Sequence, residues 1–71
     1  MMPHVRLTRR ENEVLTFLLE GVTNRQISRK LHISTNTVKT HVTHIFTKLG
    51  VENRTQAAVA AVKLDLVEDR P

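Results

Sequence analysis

Residues 21–51 read GVTNRQISRKLHISTNTVKTHVTHIFTKLGV, and this stretch holds no Asp or Glu. It does hold Arg25, Arg29, Lys30, Lys39 and Lys48, together with His32, His41 and His44. All seven acids of the chain lie outside it. Thr23 followed by Gln26 has the spacing of a helix-capping box, and Ile27 and Leu31 then fall four apart on one face. Ser34 caps a second segment, in which Val38, Val42, Ile45 and Leu49 form one stripe at helical spacing before Gly50. The stretch therefore predicts two helices, at 24–31 and 35–49, joined at Leu31-His32-Ile33-Ser34. A surface of one charge sign on two short helices suits a partner made of phosphate.

The flanks supply two more helices. Thr8 and Glu11 form a capping box, and Val14, Leu15, Phe17 and Leu18 give an apolar face that ends at Glu20-Gly21. This predicts a helix over 9–20. Asn53 caps a fourth helix over 54–64, with Gln56 three residues on. No strand alternation, repeat or low-complexity segment interrupts the pattern, so the chain reads as an all-α, four-helix domain spanning 7–66. Residues 1–6 are expected to be a disordered segment and 67–71 a frayed tail.

Composition limits the function. Seventy-one residues make one small domain. Phe17 and Phe46 are the only aromatic residues, too few for base-stacking on single strands. The net charge of +4 favours an anionic partner. With no cysteine there is neither a disulfide framework nor a thiolate metal site. No run of about 18 apolar residues spans a bilayer, so no membrane partner is expected. No Gly-rich phosphate loop or nucleophile–base pair can be read, and no cofactor or small-molecule ligand is implied. His41 and His44 share metal-ligand spacing on one helix. His41 is better explained by packing beside the apolar stripe, and His44 by the outer face.

The third helix carries the sharpest signal. At about 100° per residue, an inward Val38, Val42, Ile45 and Leu49 put Asn36, Thr40, Thr43 and Thr47 on the opposite face. Lys39 lies on one flank, and Thr37 and His44 on the other. Threonine is a poor helix former, so helix stability does not account for this face. Short hydrogen-bonding side chains let a helix sit deep in the DNA major groove, and threonine methyls can meet thymine methyls. The expected base contacts are Lys39, Thr40, Thr43, Asn36 and Thr47. The expected phosphate contacts are Asn24, Arg25, Thr35, Thr37, His44, Lys48 and Arg54. Helix four has a second apolar stripe, Val59, Val62 and Leu66, with nothing left in the chain to cover it. That stripe is expected to pair two copies on DNA. Val42→Asp is expected to unfold the domain, because an unpaired carboxylate is costly to bury.

The motifs Leu7-Thr8-x-Arg10-Glu11-x-Glu13-Val14-Leu15, Gly21-x-Thr23-Asn24-x-x-Ile27 and Ile33-Ser34-x-x-Thr37-Val38-Lys39-x-His41-Val42 occur in order. Lys48-Leu49-Gly50-Val51-x-Asn53-Arg54-x-x-Ala57 follows. Together they resemble the LuxR/FixJ/GerE-type helix-turn-helix domain from Leu7 to about Leu64. The resemblance implies a four-helix DNA-binding domain of a cytoplasmic bacterial transcription regulator. Such domains usually form the C-terminal part of response regulators in two-component systems or of quorum-sensing receptors, and a few stand alone. It also implies dimerisation through the fourth helix, and RNA polymerase as a further partner. Many such proteins carry Lys or Arg at the position of Thr43, and Val at that of Thr40. This chain therefore departs from the family where sequence is read. Ser28 stands where alanine is usual and should still pack. Two other readings share the pattern: a sigma-factor promoter-reading region, and a protein-interaction module that has lost DNA.

Overall fold

A computed structural model describes residues 6–64. Its elements are α1 (Arg9–Leu19), α2 (Asn24–Leu31), α3 (Thr35–Leu49) and α4 (Arg54–Leu64). The described residues contain helices and no strand, as the sequence predicts. Helix α1 stops one residue short of the expected end, because Glu20 has left helical geometry (φ −85°, ψ 0°). Of the terminal segments expected at 1–6 and 67–71, only Arg6 falls within the described residues.

Each start is chemically marked. Thr8 and Thr23 form reciprocal boxes with Glu11 and Gln26. The Thr37 amide donates to Ser34 Oγ at 3.0 Å, and the Gln56 amide donates to Asn53 Oδ1 at 2.8 Å. The Gln56 side chain accepts from the Glu52 amide at 2.7 Å, one residue before the cap. Three ends share one solution. The amides of Val22, Ile33 and Val51 reach back to the carbonyls of Phe17, Ser28 and Phe46 at 3.0 Å each. A left-handed residue precedes each of them: Gly21, His32 and Gly50. His32, at φ 58°, takes this conformation without glycine's freedom. It is the turn of the helix-turn-helix.

The core is drawn from all four helices. Val14, Leu15 and Leu18 of α1 meet Ile27 of α2, Val38 and Ile45 of α3, and Ala61 of α4, and Ala57 of α4 is buried too, none of them more than 4% exposed. Alanine on α4 lets that helix close on the others. Of the predicted α3 stripe, Val38 and Ile45 are fully buried, while Val42 and Leu49 are only partly so. Val42 borders an open groove beside Arg25 and Arg54. A carboxylate placed there would meet cations and water, so unfolding is the expected result of Asp at Val38 or Ile45 rather than at Val42.

Candidate nucleic-acid interface

Burying Val38 and Ile45 turns Asn36, Thr40, Thr43 and Thr47 to solvent, and all four are exposed, as are Thr35, Thr37 and Lys39. Two threonine hydroxyls are already engaged. Thr37 Oγ1 lies 2.9 Å from Ser34 Oγ, which binds it into the N-cap of α3. Thr40 Oγ1 donates to the Asn36 carbonyl at 3.1 Å. In this arrangement Thr40 offers an outside partner its lone pairs and its methyl, not a proton. The face has no apolar side chain larger than a methyl and no acid.

The two long flanks of α3 differ. On the Val42–Phe46 side lies a shallow groove that also includes Thr23, Asn24, Arg25 and Arg54. The Gln26 amide is taken by Thr23 Oγ1 at 3.1 Å, so the Asn24 and Arg25 amides are the ones this flank can combine with its cations. Arg54 Nη2 donates to the Val22 carbonyl at 2.7 Å, which fixes the start of α4 to the α1–α2 loop. Arg54's remaining guanidinium donors can still reach outward.

On the other flank the structure alters the sequence picture. The strip that is acid-free in sequence is not acid-free in space. Glu11 of α1, 4% exposed, comes to within 2.7 Å of Lys48 Nζ through Oε1. Its Oε2 is 4.0 Å from His44 Nδ1. Its Oε1 also accepts the Thr8 amide at 2.9 Å. Burial pushes the Glu11 pKa up, but the hydrogen bonds from Lys48 and Thr8 and the positive field of Lys48 and His44 outweigh it. The carboxyl is held below its usual range. Lys48, expected from sequence to face phosphate, is thus turned to Glu11 and also donates to the Arg6 carbonyl at 3.3 Å. The pair joins residues 37 apart, and no local pattern announces it. Ser28, where alanine was usual, is buried with its hydroxyl donating to the Arg25 carbonyl at 2.7 Å, so its polar atom costs little.

On α4, Val59 and Val62 are 50% and 79% exposed. Leu66, the third member of that stripe, lies outside the described residues. Among the described residues no three His, Cys, Asp or Glu side chains converge as a metal site needs. No described helix is long and apolar enough to cross a membrane.

Comparison with known proteins places this geometry. The model of a family described as bacterial regulatory proteins, luxR family, matches residues 5–61. The transcriptional regulatory protein LiaR of Bacillus subtilis (strain 168) is 52% identical over 66 residues. That alignment covers 93% of this chain and 31% of LiaR. The transcription factor GerE superposes with a TM-score of 0.80 at 35% identity, covering 87% of this chain and 92% of GerE. VqmA of Vibrio cholera, solved as a ligand–DNA complex, superposes with a TM-score of 0.84 at 30% identity, covering all of this chain and 31% of VqmA. The chain thus spans about a third of the length of LiaR and VqmA.

Proposed function

Because this chain belongs to the luxR family of bacterial regulatory proteins, a family of DNA-binding transcription regulators rather than of enzymes, we propose that it reads duplex DNA with α3 in the major groove. The observation that carries this reading is the exposed face of α3, neutral at its centre and free of acids. Lys39, Thr40 and Thr43 would read base edges, with Asn36 and Thr47 at the ends of the same face. Asn24, Arg25 and Arg54 would grip one strand's phosphates beside the start of α2, with Thr35 in the first turn of α3, while Thr37 lies across the face toward the other strand. His44 stands on the opposite flank. Lys48 is the least available cation of the set, because Glu11 balances its charge and two of its three ammonium donors already serve Glu11 and the Arg6 carbonyl.

The two classes of contact are separable by measurement. Lys39→Ala should cost about 1–3 kcal/mol on the preferred sequence and relax choice at that base pair. Arg25→Ala should weaken all duplexes about equally and reduce the slope of log affinity against log salt by about 0.9. Titrations on preferred and scrambled duplexes at several salt concentrations check both. Equal, sequence-independent losses from the two variants would refute the base-reading role of Lys39.

Dimerisation on DNA is part of the proposal. Exposed Val59 and Val62 on one face of α4 are suited to a two-fold contact, and two copies could then occupy half-sites about one helical turn apart. Val59→Glu should leave the monomer folded, since Val59 is half exposed, and abolish cooperative binding. Sedimentation with and without duplex reads this directly, and unchanged cooperativity would remove α4 as the interface. In the whole protein, we take the domain to be the cytoplasmic output module of a response regulator, acting near RNA polymerase. That this chain covers only 31% of LiaR, a transcriptional regulatory protein, supports an output module within a longer regulator.

A further inference from the structure

We propose that Arg6, outside the helix-turn-helix, is the cation that meets the second strand's phosphates along the α1 flank of α3. This rests on the reading of α3 as the groove helix. A helix in the major groove lies between two phosphate chains, so a cation on each long flank adds to binding. The Val42–Phe46 flank has Arg25 and Arg54. The α1 flank looks equally supplied in sequence but is not. The charge of Lys48 is balanced by Glu11 at 2.7 Å. Drawing Lys48 away would leave a carboxylate only 4% exposed without its partner, a heavier loss than one surface phosphate contact returns. His44 carries a charge only when protonated.

The same ammonium that neutralises Glu11 pins Arg6. Lys48 Nζ donates to the Arg6 carbonyl at 3.3 Å across 42 positions of sequence. This holds the Arg6 main chain against the last turn of α3 while its side chain stays exposed. The guanidinium is permanently charged, and its planar fork fits a phosphate. The neighbouring arginines are less suited. Arg9 is two residues before Glu11, about 200° around α1, and so turned away from α3. Arg10 is paired with Glu13 at 3.3 Å. Glu11 and Lys48 are then positioning residues, and Arg6 the contact.

The test is the salt dependence of binding to a mixed-sequence duplex of about two helical turns. Arg6→Gln should reduce the slope of log affinity against log salt by about 0.9, which is roughly eightfold weaker binding at about 0.1 M salt. The loss should be the same for every duplex sequence. Arg6→Lys should keep the wild-type slope, because a phosphate contact asks only for a cation. A wild-type slope in Arg6→Gln overturns this proposal alone. A wild-type domain with no salt-dependent duplex binding overturns the DNA reading and this proposal with it.

Discussion

Ile27→Ala should lower the unfolding free energy by about 2–5 kcal/mol and abolish duplex binding over the same range of conditions. Helix α2 is eight residues long, too short to persist without tertiary support. Ile27 is its one fully buried apolar residue and is 0% exposed. It packs in the cluster with Val14, Leu15, Val38 and Ile45. Truncation removes its transfer energy and leaves a cavity that a four-helix core of this size cannot easily close. A chain of this length has roughly 4–11 kcal/mol of total stability, so the loss is a large fraction of it. The functional effect follows from the geometry. Without Ile27, Asn24 and Arg25 no longer have a fixed place beside α3. Urea unfolding followed by helicity, in parallel with duplex titration, measures both. A loss under about 1 kcal/mol with binding intact would show that α2 is held by something other than this contact.

Lys48→Met should cost about 3 kcal/mol, and adding Glu11→Gln should recover most of it. Methionine keeps the apolar stem of lysine but leaves the buried Glu11 carboxylate with only the Thr8 amide and a distant His44. Removing one partner of a buried pair costs about 3–5 kcal/mol. The lower end applies because the Lys48 side chain is 37% exposed and water can approach. Glutamine at position 11 keeps an oxygen to accept the Thr8 amide and buries no charge. The pH dependence has a definite sign. In the wild type the folded Glu11 pKa lies below its unfolded value. Its contribution is therefore present above the unfolded carboxylate pKa and is lost as pH falls through the folded one. In Lys48→Met the two contributions of Lys48 that lower the carboxyl pKa are gone, so that variant should lose less stability than wild type on acidification. Thermal unfolding of the four members of the cycle, from neutral pH to acid, would show it. Additive losses with parallel pH profiles would mean that the pair is not coupled.

Much of the fold is legible because its determinants are local. Capping boxes at Thr8 and Thr23, the Ser34 and Asn53 caps, and the glycines at 21 and 50 mark helix ends within about four residues of each signal. The period of Val38 and Ile45 orients α3, and that orientation alone predicts which threonines are exposed. The turn is less legible, since nothing in Leu31-His32-Ile33 says that a histidine will adopt φ 58°. The buried charge cluster is less legible still. Glu11 reads in sequence as a capping residue, and it is one, but the same carboxylate also reaches Lys48 across the core boundary. That contact depends on how α1 packs against α3, which periodicity does not specify. The same holds for Arg54 on the Val22 carbonyl and for Arg6 beside Lys48. The sigma-type alternative gives way to the family match over residues 5–61.

The central claim, that α3 reads base sequence, is tested most directly by selecting bound duplexes from a random pool with the wild-type domain and with Lys39→Ala/Thr43→Ala. The wild type should enrich one short motif, repeated with two-fold symmetry about one helical turn apart. The double variant should still bind duplex while losing enrichment at the base pairs facing those two positions. An identical motif from both proteins, or no enrichment by the wild type, would contradict the claim.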